Sequence, residues 1–359
     1  MFAKFFKAPS LTSTFSDDFL LATDRIVSYE YTKRWTKSGD FTIVLPFSKE
    51  LLQALKLNGT IYFDNDWLWI QNIAYNGNQI TVSGKDCKAF LETRIALPND
   101  TGYVGYDSIS GSTAVCIKNY LDHNLISPTN SSRQLPLSWD NDSVVGLLSD
   151  SYMARFEYIS DIVTTLCENA DIGFDIGGNI IAGGFLFKLL KGTDRSFSQS
   201  TNSRVILSAR WGNVVSQRFE HGVDNLLNAV YATDPNGYSA LVTTSTGGIS
   251  RRECNVSVSV SNTDTWFERY ALNEVKENIE TDSFEIAVPF SGYGTDYTLG
   301  DTVTVKDDFT GERYDRIITE VTKSYFYSQR SISLVLGVPK QKPVQKIVNN
   351  MLNGTIRKG

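Results

Sequence analysis

Histidine is almost missing from this chain. Only His123 and His221 occur, and neither has a Cys, His, Asp or Glu at metal-ligand spacing. Cysteine is sparse too: Cys87, Cys116, Cys167 and Cys254 stand far apart and form no CxxC, which argues against a zinc ribbon or a redox pair. A disulfide framework does not suit so long a chain. A basic excess is also absent. The net charge is −6 and the isoelectric point near 5.1, so a phosphate-gripping face is not expected. No apolar run approaches the ~20 residues that span a membrane. The opening "MFAKFFKAPSLTS" has lysines but no apolar stretch of signal-peptide length. The expectation is a soluble protein without a membrane anchor.

What is present is β-forming. The 359 residues include 17 Tyr and 20 Phe, among recurrent short Val/Ile/Thr runs. A single core stops growing at roughly 250–300 residues, so more than one domain is expected.

"FTIVLPF" at residues 41–47 is answered by "FEIAVPF" at 284–290. Both alternate strictly, with Phe41, Ile43 and Leu45, or Phe284, Ile286 and Val288, on one strand face. Both end in Pro-Phe, where a ladder loses a donor. The match continues in order. "LNGTIYFDND" (57–66) answers "LGDTVTVKDD" (299–308), and "WIQNIAYNGNQITVSG" (69–84) answers "IITEVTKSYFYSQRSISLVLG" (317–337). Three collinear blocks predict a duplicated β-module. The link after the first block differs between copies. In "SKELLQALKL", Ser48 is placed to cap a short helix. "SGYGTDYT" is too glycine-rich for one.

Between the copies, Ala114, Ile117, Leu121 and Leu125 fall at helical spacing. So do Ile162, Leu166 and Ala170 after Ser160 as N-cap. "GFDIGGNIIAGGFLFKLL" predicts a hairpin turning at Gly177-Gly178-Asn179. Asp234-Pro235-Asn236-Gly237 predicts a second hairpin turn. "TWFERYALNEVKENIE" (265–280) predicts a helix. These readings divide the chain into a first module (1–100), an α+β arm (101–212), a second module (213–340) and a basic tail (341–359). The tail region from Pro339 carries five cations and no acid, and holds an amphipathic run from Val344 to Leu352. Three readings stand open for it: a solvated terminus, docking on an acidic surface of the chain's own assembly, or packing against a neighbouring protein.

Chemistry-bearing patterns are weak. Two histidines leave a Ser-His-Asp arrangement open, but no GxSxG elbow accompanies them. The acid pairs Asp64/Asp66, Asp140/Asp142 and Asp307/Asp308 sit in turn-like contexts, fit no EF-hand, and read as turn residues rather than a glycosidase pair. The glycines of 173–184 lack GxGxxG spacing. Trp67 and Trp69 admit a sugar-binding reading, against strand aromatics in a core. Arg251 and Arg252 read as a solvated face, and His123 and His221 as surface or capping residues. No catalytic, cofactor-binding or metal-ligating residue is assigned.

The segments "RWTKSGDFTIVLPFSKELLQAL", "ITVSGKDCKAFLETRI" and "YGTDYTLGDTVTV…RIITEVTKSYFYSQRSISLVLG" resemble the tail-tip (baseplate) hub proteins of tailed bacteriophages. The likeness runs to hubs of phages and prophages of Gram-positive bacteria, including the N-terminal hub part of tail-associated lysins. It covers about residues 20–95 and 220–340. It implies a mainly β fold with an α+β insertion, two tail-tube-like β-barrel modules per chain, and a homotrimer with a pseudo-six-fold ring. It further implies a non-enzymatic component of the virion, made in the host cytoplasm, that closes the distal tail. Tube, tape-measure and tip or receptor-binding proteins are the implied partners. DNA passes through without specific binding, and no cofactor is implied. Lysin-type relatives continue into a hydrolase region, whereas this chain ends at Gly359, so no hydrolase role carries over. The alternatives are a cell-wall hydrolase without recognisable motifs and a carbohydrate-binding host-recognition module.

Overall fold

The computed structural model describes residues 2–98, 102, 105–144, 149–179, 183–242, 247–263, 267–273, 275, 278–326 and 329–338. The basic tail 341–359 therefore lies outside the described residues. The protein is mainly β, with 43% strand and 18% helix. Two compact units are present: residues 1–217 with 286–335, and 218–285 with the described chain from 336.

The first unit opens with β1 (Ala3–Phe6), α1 (Phe15–Asp18), β2 (Phe19–Thr23), β3 (Ser28–Arg34), β4 (Asp40–Pro46), α2 (Lys49–Ala54), β5 (Thr60–Phe63), β6 (Asp66–Asn76) and β7 (Gln79–Asp86). A 3-10 stretch, Cys87–Thr93, leads into the arm. The arm holds β8 (Asp107–Ser112), α3 (Thr113–Leu121), β9 (Leu137–Trp139), β10 (Ser149–Ala154), α4 (Ile159–Asn169), β11 (Gly173–Gly178) and β12 (Phe185–Leu190). Then come β13 (Ile206–Leu207) and β14 (Ser216–Gly222). The second unit contains β15 (Ala229–Thr233), β16 (Ser239–Leu241), β17 (Glu253–Ser257) and α5 (Phe267–Asn273). The chain returns through β18 (Thr281–Val288), β19 (Thr302–Lys306), β20 (Arg313–Phe326) and β21 (Gln329–Val338).

The repeated blocks fold alike. The first copy pairs its strands in the order β3-β4-β7-β6-β5 and the second in the order β14-β18-β21-β20-β19. The correspondence reaches single hydrogen bonds. Val27 N donates to Val44 O at 2.9 Å, and Val215 N to Ala287 O at 2.7 Å. Val44 and Ala287 are the fourth residues of the two opening blocks. Asn58 N donates to Ile70 O and Gly300 N to Ile318 O, both at 2.9 Å. Ile70 N and Ile318 N answer back to Gly59 O and Asp301 O, again at 2.9 Å. Both Asn58 (φ 63°) and Gly300 (φ 90°) take the left-handed conformation that this clasp requires. The fifth strand pair, β3 with β14, is a repeat that the three blocks had not revealed. "VSYEY" (27–31) and "VSQRF" (215–219) are its trace.

Neither copy closes into a barrel among the described residues. The sheet is an open path that ends in β14 and β2. In the first copy, β3 gives its second edge to β20. Those strands pair antiparallel from Glu320↔Arg34 to Tyr325↔Tyr29. One continuous sheet thus joins the two copies edge to edge.

Alternation builds the first core. Ile43, Leu45, Ile61, Phe63 and Leu68 are fully buried there, each contributing roughly 1.5–3 kcal/mol, and Tyr31 is buried with them. Ser48 caps α2 by accepting from Leu51 N, as its sequence predicts. The corresponding link in the second copy is a run of turns. A second core joins the arm to the first copy: Phe6, Phe15, Trp67 and Phe90 pack with Ile117, Tyr120, Leu166, Phe174, Phe185 and Phe187.

Several local expectations change. The cap of α4 is Tyr158, which makes no side-chain cap bond, and Ser160 lies inside the helix. The hairpin expected to turn at Gly177-Gly178-Asn179 keeps Gly177 and Gly178 in β11 instead, and Asn179 N donates to Gly184 O beyond the strand end. Gly178 is the last residue of β11, paired with Phe185, and packing leaves it no room for a side chain. A Cβ there would lie 2.4 Å from the Trp67 ring, and one at Gly173 2.3 Å from Trp35. In the second unit the strand order is β16-β15-β17. Its hairpin turns at Asp234, whose carboxylate accepts from Asn236 N and Tyr238 N. The helix predicted over 265–280 is described as α5 alone, followed by a turn at Val275. No helix among the described residues is long and apolar enough to cross a membrane.

Candidate functional site

The join between the copies is also where charge is buried. In "YEYTKRW", Lys33 shares a strand face with Tyr29, Tyr31 and Trp35, so alternation sends it inward. Its Nζ donates to Asp66 at 2.5 Å and to Asp175 at 2.7 Å. Asp66 opens β6 and Asp175 lies on β11, so one ammonium ties β3, β6 and the arm. Its neighbour Arg34 bonds Asp40 at 2.8 Å and reaches Glu320 of β20 at 3.3 Å. Lys323 of β20 donates to Asp64 at 2.7 Å. The Thr32 and Thr322 hydroxyls meet at 2.8 Å, and Tyr29 stacks on Tyr325 with centroids 5.9 Å apart.

Lys88 is buried beneath this join. Its Nζ donates to the carbonyls of Arg34 and Lys37 and lies 5.2 Å from the Phe174 ring centre. Nearby, Asp86 accepts from Lys88 N through Oδ1, while Oδ2 has no partner. A cavity of about 200 Å³ is lined by Lys33, Trp35, Lys88, Asp175 and Tyr293, among others.

Burial opposes the charge on Lys33, but Asp175 and Asp66 outweigh it and raise its pKa. Burial likewise opposes ionisation of Asp175, yet Lys33 and Lys88 hold it below the ordinary range. Burial raises Asp66 against the pull of Lys33. Asp86 is pushed up to about 7 by burial, only partly offset by Lys88. Burial lowers Lys88. Tyr31 is raised well above its ordinary value by burial and by the aspartates around it. Perturbed acids and amines beside a cavity are the usual mark of proton-transfer chemistry. Here every charge except that of Asp86 is spent on a strand, a turn or a backbone carbonyl. What the arrangement does is hold three chain segments in one register.

The residues singled out from sequence sit elsewhere or act structurally. Asp64 and Asn65 form the positive-φ turn between β5 and β6, and Asp64 and Asp66 additionally take lysines. Asp140 and Asp142 flank Lys188 at 3.6 and 3.9 Å. Asp307 accepts from Phe309 N within its own turn, and Asp308 accepts from Ser208 Oγ and Ala209 N. Trp67 is buried and stacks on Phe15 at 4.2 Å; Trp69 packs half-buried against Phe90, so both serve the core rather than a sugar face. The histidines do have carboxylate partners, distant in sequence: His123 with Asp107 and His221 with Glu280, each at 3.0 Å. Arg251 pairs with Glu253 and donates to the Tyr231 hydroxyl at 2.9 Å. All four cysteines are free thiols. No cluster of three metal-ligating side chains occurs among the described residues. Lys33, Lys88, Asp86 and Asp175 escaped the sequence reading. A lysine on the tyrosine face of β3 was the one available signal.

The sequence of residues 20–338 matches the family described as Siphovirus ReqiPepy6 Gp37-like protein. The chain belongs to that family. No curated protein matches it. Among solved structures, the fold of this family member is shared with three prophage or tail proteins. The 43 kDa tail protein of prophage MuSo2 from Shewanella oneidensis is 13% identical with a TM-score of 0.52, over 94% of this chain and 98% of that one. A tail protein from Neisseria meningitidis is 12% identical with a TM-score of 0.54, over 93% and 96%. A prophage tail protein from Listeria monocytogenes is 9% identical with a TM-score of 0.52, over 99% and 100%. At these identities the likeness is one of fold.

Proposed function

We propose that this protein is a structural component of a phage tail: a trimeric hub that closes the distal end. Each chain supplies two equivalent β-modules, so three chains present six. Such a ring matches a six-fold tube on one side and a three-fold tip on the other, and its lumen passes DNA. The observation that carries this reading is the repeated strand order, β3-β4-β7-β6-β5 and β14-β18-β21-β20-β19, joined through β3 and β20. The siphovirus family and the shared fold of prophage tail proteins support a place in a tail. The net charge of −6 suits a channel wall that repels phosphates. The buried charges fasten segments together, which is what a load-carrying ring requires of them. Tube, tape-measure and tip proteins are the partners this role calls for.

The test is to label the protein in assembled particles, for example with gold-tagged antibody, and to image them. Label at the tail end farthest from the head supports the hub reading. Label along the tube or on the head contradicts it.

A further inference from the structure

The repeat shows one module meeting another inside a single chain, and that contact has an unfilled counterpart. In β20, residues 313–317 pair with β19 while 320–325 pair with β3. In the equivalent strand β6, residues 66–69 pair with β5, and residues 71–76 have no second strand partner among the described residues. The strand equivalent to β3 is β14, which stands at one end of the sheet. We propose that β6 of one chain pairs antiparallel with β14 of a second copy, reproducing the β20–β3 join between chains. This deepens the hub reading and rests on it: each chain offers one β6 edge and one β14 edge, so the contact is head-to-tail, and the three-fold rotation of the hub reading is what closes it into a ring.

The equivalence fixes the register. Ile70 and Ile73 both face the core across a bulge between Ile70 and Asn72. Ile318 and Val321 are buried at the same spacing. Ala74 therefore stands where Thr322 stands, and Tyr75 where Lys323 stands. On the other strand the Val27–Val215 equivalence places Glu220 at Thr32 and Phe219 at Tyr31. Carrying over the observed Thr322↔Thr32 and Lys323↔Tyr31 pairs sets Ala74 opposite Glu220, and Tyr75 opposite Phe219. Tyr75 is 64% exposed and Phe219 39% exposed in the single chain. Opposed aromatics are among the more stabilising cross-strand pairs. The run "QNIAYN" on the β6 edge carries no charge and no proline, the devices by which edges resist pairing.

Paired cysteines test this in the full chain. The double variant Ala74→Cys, Glu220→Cys is oxidised with oxidised glutathione and run on a non-reducing gel. Both positions are at the surface edge, and circular dichroism checks the fold. Disulfide-linked trimers in the double variant, and in neither single variant, support the pairing. The frame-shifted control Ala74→Cys, His221→Cys, whose second side chain leaves the opposite face, should not cross-link. Equal cross-linking in that control overturns the register. A double variant that sediments as a trimer without cross-linking overturns the strand pairing and leaves the hub reading standing. A wild-type chain that stays monomeric at high concentration overturns both.

Discussion

Lys33 and Asp175 are 142 residues apart in the chain and 2.7 Å apart in the fold. With Asp66 they make one ammonium the fastener of β3, β6 and the arm. Replacing Lys33 by Met keeps the stem and removes the charge, leaving two partly buried carboxylates without their shared cation. Breaking a fully buried pair from one side costs roughly 3–5 kcal/mol, and the partial exposure here brings the loss to about 1–3 kcal/mol. Denaturant unfolding of Lys33→Met should show a loss of that order at neutral pH. The loss should shrink toward acid, where the aspartates protonate.

Asp86 makes stability depend on pH in an unusual sense for a carboxylate. Its folded pKa is pushed up to about 7 by burial, against roughly 3.9 unfolded. The folded state therefore binds the extra proton between those values. Its contribution is full below about pH 4 and is lost as pH rises through 7. Asp86→Asn should flatten this slope and stabilise the protein at pH 8 by on the order of 4 kcal/mol, at about 1.4 kcal/mol per pH unit across that gap. Thermal unfolding from pH 5 to 8 checks it. A variant less stable than the parent at pH 8 contradicts it.

His123 behaves in the same sense for a different reason. Its bond to Asp107 raises its pKa, opposed by partial burial. The stabilisation is present below the unfolded histidine value and disappears as pH rises through the folded one. His123→Gln should lose stability at pH 5 and little at pH 9. NMR titration of the ring locates the transition.

The β11 glycines are packing residues. Gly178→Ala forces a methyl group against Trp67, and Gly173→Ala against Trp35, both well inside contact distance. Overpacking of this kind costs typically 1–3 kcal/mol. The arm should be the first part to loosen, seen as faster amide exchange in β11 and β12. An Ala at Gly177, where a Cβ meets nothing within 4 Å, is the matched control.

Much of this fold was legible in the sequence, and the illegible part has a physical cause. The blocks at Phe41 and Phe284 announced two strands because alternation is local. Ser48 announced α2 because a cap bonds only three residues on. The repeat of β3 in β14 left only "VS" and an aromatic, since β3 lies between β4 and β20 while β14 stands at the end of the sheet. The charged join was hidden for another reason. Lys33, Asp66, Asp86 and Asp175 meet only once strands from distant parts of the chain are side by side, and no spacing encodes that. Among the described residues the first copy stays open at β3, because β20 occupies the edge that closure would use.

The central claim is that three chains present six equivalent modules. Sedimentation equilibrium of the purified protein, followed by class averages of the same sample in the electron microscope, tests it most directly. The account predicts a particle of three times the 40.1 kDa of one chain, appearing as a ring with six similar lobes in end view. A stable monomer or dimer at all concentrations, or a ring of any other chain number, contradicts it.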